Sequence, residues 1–218
     1  MDLEVIRSAA RGDLRNFEIN YHKCIRNPPA NRWPRINFEQ CSIMVASALG
    51  HSNIVKRLLH FNVEPNSVKV FWQNSHLYWG KNKLIARILK KIELDMMPFT
   101  SGWSPTVSPA CLAAYYGHID VLAVLNDGGA DFGYNPFTKI QCNLFQERPF
   151  LNTVLCAIYG KHYKLAEMLM DMGVDIPKEA DKCVLCNKFK RRRALDMANI
   201  LLYKTVPMDV FVIITKYV

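Results

Sequence analysis

The sequence predicts an all-α chain of about five or six helix-turn-helix units stacked in series, several of them degenerate. Two observations predict it. A block of small residues, two variable residues, a glycine and then an apolar pair recurs along the chain. The apolar residues that follow the glycines fall at helical spacing, as in Ile54, Val55, Leu58 and Leu59, and again in Leu84, Ile85, Ile88 and Leu89. A short helical pair cannot bury both faces alone, so each unit completes its core against its neighbours. Composition agrees. Of 218 residues 50% are hydrophobic and 22% charged, enough apolar surface to offset the entropy of ordering the chain.

Taken in order, the first unit is IRSAARGDLRNFEI from Ile6. It lies in residues 1–35, an N-terminal capping unit that ends in the Pro-rich connection NPPANRWPR. The central region, 36–182, opens with CSIMVASALGHSNIVKRLLHFNVEPN from Cys41. Gly50 and Gly117 stand about two 33-residue periods apart, so a degenerate unit is expected near 69–101. There HLYWGKNKLIARILKKIELD places Gly80 in the glycine position, although Gln73, Asn74 and His76 make a poor first helix. The next unit is SPACLAAYYGHIDVLAVLNDGGAD from Ser108, followed by a long connection over 132–150. LNTVLCAIYGKHYKLAEMLMDMGVD from Leu151 then repeats the pattern. Residues 183–218 read as a basic loop and a C-terminal capping unit in which Leu202 stands where glycine is expected. Gly50, Gly117 and Gly160 suit the left-handed position just past a helix end.

These blocks resemble the ankyrin repeat, whose motif runs T-P-L-H-x-A-A-x-x-G-H before a second helix and a G-A-D. Ser108, Pro109, Leu112, Ala113, Ala114, Gly117, His118, Gly129, Ala130 and Asp131 carry the best match. Ala46, Gly50, His51, Ile54, Val55, Leu58 and Leu59 carry the next. The resemblance implies a solenoid whose first helices and hairpin tips form a concave, partner-binding face. It implies a non-enzymatic protein-interaction module or adaptor. By motif position the two residues before each glycine face that side. They are Ala10 with Arg11, Ala48 with Leu49, Tyr78 with Trp79, Tyr115 with Tyr116, Ile158 with Tyr159, and Ile200 with Leu201 at the last unit.

The contact set expected from these pairs is Arg11, Leu49, Tyr78, Trp79, Tyr115, Tyr116 and Tyr159. Tyr and Trp bury much area at little entropic cost and dominate binding hot spots. The alternative is that the rings pack on one another or under the connection from Tyr134 to Phe150. Trp33 and Trp103 fall at expected hairpin tips beside Pro34 and Pro105, where they either extend the surface or brace the tips.

Residues that would carry chemistry are scattered. There is no G-x-S-x-G, no glycine-rich phosphate loop and no H-E-x-x-H. No enzyme and no cofactor is expected. His51 and His118 occupy a structural slot of the motif. Cys183 and Cys186 form the only C-x-x-C. A structural zinc site needs four ligands, and only His162 or Cys142 could join the pair through the fold. The odd count of seven Cys and their positions within apolar helical patterns suggest reduced thiols and an intracellular protein, cytoplasmic or nuclear. The start lacks a basic region followed by an apolar one, and no apolar run approaches a membrane span.

The net charge of +9 permits a partner protein with acidic character without requiring one, and Arg11 with nearby basic residues would favour such a partner. Lys188, Lys190, Arg191, Arg192 and Arg193 are the densest positive charge, read as a basic contact, a nuclear signal or a solvated loop. Lys81, Lys83, Arg87, Lys90 and Lys91 read as the solvent face of one helix. Neither a nucleic acid nor a membrane is an expected partner. Finally, Val206, Pro207, Val210, Ile213, Ile214 and Val218 faintly resemble the opening helix of an F-box, which implies a ubiquitin-ligase substrate adaptor. The alternative is the second helix of a final repeat, with Pro207 in its first turn.

Overall fold

The structure, a computed structural model, describes residues 2–26, 38–66, 87, 91, 107–133, 152–176 and 184–205. Every regular element among them is a helix. They are α1 (Asp2–Arg11), α2 (Leu14–Arg26), α3 (Phe38–Leu49), α4 (Ser52–His60), α5 (Pro109–Tyr116), α6 (Ile119–Asp127), α7 (Thr153–Tyr159), α8 (Tyr163–Asp171) and α9 (Val184–Thr205). None of the described helices is long and apolar enough to cross a membrane. The chain divides into two compact units, Met1–Pro177 with α1 to α8 and Lys178–Val218 with α9.

In the first unit the helices come in pairs, and the same backbone hydrogen bonds close every pair. After α5, His118 N–H donates to Ala113 C=O at 2.8 Å and Gly117 N–H to Ala114 C=O at 3.3 Å. This is the two-bond left-handed stop that satisfies the last carbonyls of a helix. His51 donates to Ala46 C=O at 2.9 Å and His162 to Ala157 C=O at 2.8 Å in the same way, and Asp13 donates to Ser8 C=O at 3.1 Å after α1. The second helices stop alike, with Asn62, Gly129 and Gly173 at positive φ. Side chains start several helices. Ser108 accepts from Cys111 N–H at 3.2 Å with Pro109 in the first turn, and Asn152 accepts from Leu155 N–H at 3.0 Å.

First helices pack in the order α1, α3, α5, α7, and second helices α2, α4, α6 pack beside them. Val5, Ile6, Phe17, Ile43, Ile54, Leu58, Leu112, Leu125, Ile158 and Leu169 form the core between the rows. Of the apolar set expected after Gly50, Ile54, Val55 and Leu58 are buried and Leu59 is half-buried. Phe61 lies flat on Tyr21, centroids 4.2 Å apart and planes 11° apart, with the Arg57 guanidinium 5.0 Å from its centroid. Arg57 also pairs with Glu18 at 2.6 Å. The Tyr21 hydroxyl donates to Glu39 at 2.8 Å. Burial and the carboxylate beside it push the phenol well above its usual range.

The structure corrects three expectations. First, α3 packs directly on α5. Asn66, just past α4, accepts from Asp131 N–H at 2.8 Å. No layer therefore separates the Gly50 and Gly117 turns. The unit expected around Gly80 itself lies outside the described residues, apart from Arg87 and Lys91, which are helical and exposed as expected. Second, Gly160 has φ −71°, and Lys161 takes the left-handed position at φ +63°. The fourth unit is thus shifted by one residue, so Tyr159 and Gly160 correspond to Tyr115 and Tyr116. Third, the basic stretch read as a loop is helical from Val184. No Gly or Pro occurs between Lys178 and Val206, and Lys, Arg, Leu and Ala are good helix formers. ALDMA lies inside this helix, which continues through Leu202 to Thr205 and leaves no turn there.

Candidate functional site

The turns at which first helices end are built from one repeated contact. His51 Nε2 lies 3.2 Å from Ala10 C=O, and His118 Nε2 lies 3.2 Å from Ala48 C=O. A carbonyl only accepts, so Nε2 carries the proton in both rings. Each ring lies over the glycine of the preceding layer. A Cβ on Gly12 would stand 2.6 Å from His51 Nδ1, one on Gly50 2.7 Å from His118 Nδ1, and one on Gly117 2.5 Å from His162 Nδ1. These histidines join one layer to the next, the structural role expected for His51 and His118.

Ahead of these turns α3, α5 and α7 are enclosed. Residues 42–48, 107–114 and 152–158 are each buried without interruption. Seven successive residues turn through almost two full circles of a helix, so no side of these segments faces solvent. Among the pairs assigned by motif position, Ala48 and Ile158 are therefore interior. Exposure begins in the last turn. Leu49, Tyr115, Tyr116 and Tyr159 are half-buried and Arg11 is exposed. Tyr115 and Tyr116 meet edge to face with centroids 5.1 Å apart, and Tyr116 lies against His118 at 6.4 Å. The structure brings Tyr115 and Tyr159 to equivalent places on neighbouring layers. Tyr78, Trp79, Trp33 and Trp103 lie outside the described residues.

No protein-family model matches the chain, and no curated protein matches it as a relative.

Other candidates fall elsewhere. Cys186 is buried in α9, and Cys183 and Cys142 lie outside the described residues. No cluster of three or more His, Cys, Asp or Glu that could hold a metal occurs among the described residues. Cys111 and Cys156 are buried on the adjacent helices α5 and α7. Burial pushes the Cys156 thiol well above its usual range, keeping it neutral. Lys188, Arg191 and Arg192 are exposed on α9, while Lys190 and Arg193 are half-buried. The F-box-like residues from Val206 onward lie outside the described residues. The motif search overlooked an open hollow of about 530 Å³ between the tips after α6 and α8, lined in part by Asp131, Asn152 and Asp175. Its polar groups serve the fold. Asp131 Oδ1 accepts from Gly133 N–H, and Asn152 Nδ2 donates to Asp175 C=O. The G-A-D and G-V-D segments that build its walls were the signal for it.

Proposed function

We propose that this chain is an ankyrin-type solenoid that recognises a partner protein without catalysis, through the last turns of its first helices. One observation carries the reading. In α3, α5 and α7 the stretch ahead of the final turn is enclosed, and in the final turns of α5 and α7 tyrosines on neighbouring layers come to the surface. Half-buried tyrosines held by packing on both sides lose little freedom on binding, and their rings give a partner apolar area plus a hydroxyl. Leu49 continues the row on one side, and Arg11 ends it with a positive charge suited to an acidic group. The His-over-Gly joints and matching helix stops support the ankyrin assignment. Tyr78 and Trp79 belong to the same proposal by motif position alone.

The test is affinity purification with mass spectrometry, comparing the natural chain with Tyr116→Ala/Tyr159→Ala. The double variant is expected to lose the specific partner while its melting temperature falls by only a few degrees. A partner retained at full yield, or a double variant that unfolds, would assign these rings to the core.

A further inference from the structure

The helix α9 sorts its exposed residues in a way the bare charge run conceals. Val184, Lys188, Arg191, Arg192 and Leu195 stand at i, i+4, i+7, i+8 and i+11, one continuous stripe about 16 Å long on an α-helix. All five are exposed, Val184 at 80% and Leu195 at 65%. Over the first turns the far side of the helix is different, because Cys186 and Phe189 are buried there, whereas residues 194–198 are exposed all round. The stripe is thus a solvent face with three cations in the middle and an aliphatic side chain at each end. Among the described residues Arg192 pairs with Asp196, whose carboxylate is 3.8 Å away with both side chains more than half exposed. An exposed pair of that length contributes little and exchanges readily.

We propose that this stripe of α9 docks an acidic amphipathic segment of another protein, one that presents a row of carboxylates flanked by aliphatic side chains. Charge complementarity selects the centre. Two adjacent arginines offer planar forks that pair bidentately with carboxylates, and the helix fixes their spacing beforehand. The ends select against other polyanions. Single-stranded nucleic acid is held by cations interleaved with aromatic rings, and this stripe has none. A membrane-surface helix gathers its apolar residues on one face away from its cations, whereas those of α9 are spread around it, Val184 and Leu195 beside the cations and Met197 and Ile200 away from them. A protein segment uses both kinds of group together, apolar anchors for affinity and charges for orientation. This surface shares no residue with the tyrosine row and does not depend on it.

The probe is a fluorescein-labelled helical peptide with Glu at i, i+3 and i+4 flanked by Leu, titrated with the full chain and read by anisotropy. Parallel titrations use the same peptide with Ser for Leu, single-stranded oligothymidylate, and vesicles containing phosphatidylserine. The Glu/Leu peptide is expected to bind tightest, and increasingly weakly as salt rises. Lys188→Glu/Arg191→Glu/Arg192→Glu should weaken it about tenfold or more, and Leu195→Ser severalfold, with Arg191→Lys/Arg192→Lys between natural and reversed chains. Should circular dichroism show that charge reversal melts α9, the Gln-substituted triple variant decides in its place. The proposal is overturned if the Glu/Leu peptide does not bind, or if the charge variants bind it undiminished. It also fails if the Ser peptide, the oligonucleotide or the vesicles bind as tightly.

Discussion

At Gly117 the chain leaves α5 through a left-handed glycine, φ +78°, and His162 of the next layer covers the space where a side chain would stand. At the end of α7 the left-handed residue is Lys161, φ +63°, and the glycine comes one position earlier in a right-handed conformation. Both turns make the same pair of backbone hydrogen bonds and deliver a histidine to the start of the next helix. Gly160 is needed for another reason. A Cβ there would lie 2.0 Å from the Tyr115 carbonyl oxygen, so the absent side chain lets two layers approach. One residue type thus meets two separate demands in adjacent layers, backbone conformation in one and interlayer distance in the other.

Substitution separates the two demands. Gly160→Ala is expected to have the largest effect, a loss of about 3 kcal/mol at the upper end of ordinary overpacking, because the atom in the way is backbone and a layer must shift. Gly117→Ala is expected to cost about 2 kcal/mol, mostly from the left-handed conformation, since the His162 ring can turn aside. Urea unfolding of both variants gives the order. A greater loss for Gly117→Ala would show that conformation, and not layer spacing, dominates both turns.

Much of this was legible in the sequence. Small residues, glycine and histidine recur because they make the turn and the joint between layers, and that recurrence announces paired helices. Counting between glycines misplaces the fourth unit by one residue for a physical reason. The histidine is the residue that touches the preceding layer, so it and not the glycine sets the register. In Gly160-Lys161-His162 that displaces the surface position from Ile158 to Gly160. Counting along the chain also does not give adjacency in space, and only the packing of α3 on α5 shows that the Gly50 and Gly117 turns belong to neighbouring layers. The helical state of the basic stretch was readable from its lack of Gly and Pro but was masked by its charge. The enclosure of the first helices was readable too. No charged residue occurs in 107–116 or in 152–160, and a helix apolar all round is a buried one. The repeat motif nominates pairs of residues before each glycine, and burial takes the first residue of two of them, Ala48 and Ile158, into the interior.

Lys161 sharpens the contrast from the stabilising side. Its left-handed conformation carries a steric cost that glycine would avoid, and a glycine there would add entropy to the unfolded chain. Lys161→Gly is expected to gain about 0.5–1 kcal/mol once the two are set against each other. The gain should appear as a higher urea midpoint with an unchanged slope. No gain would mean that the lysine side chain makes a compensating contact.

The smallest effect belongs to the first turn, where the slot filled by His51, His118 and His162 in later layers holds Asp13. Among the described residues no earlier layer lies beneath it, and a ring would find no carbonyl to meet. Asp13 instead caps its own second helix, accepting from Asn16 N–H at 3.0 Å and from the Asn16 side chain. These hydrogen bonds hold its carboxyl below the ordinary 3.8. A folded-state value below the unfolded one means stability that is present above 3.8 and is lost as pH falls through the folded value. Asp13→Ala should therefore lower the melting temperature slightly at neutral pH, and the gap from the natural chain should close as the solution is acidified below 3.8. Asp13→Asn keeps an acceptor without the titration, so its melting temperature should not share that acid-side decline. A gap between natural chain and Ala variant that stays constant with pH would mean that the cap acts through neutral hydrogen bonding and that the charge contributes nothing.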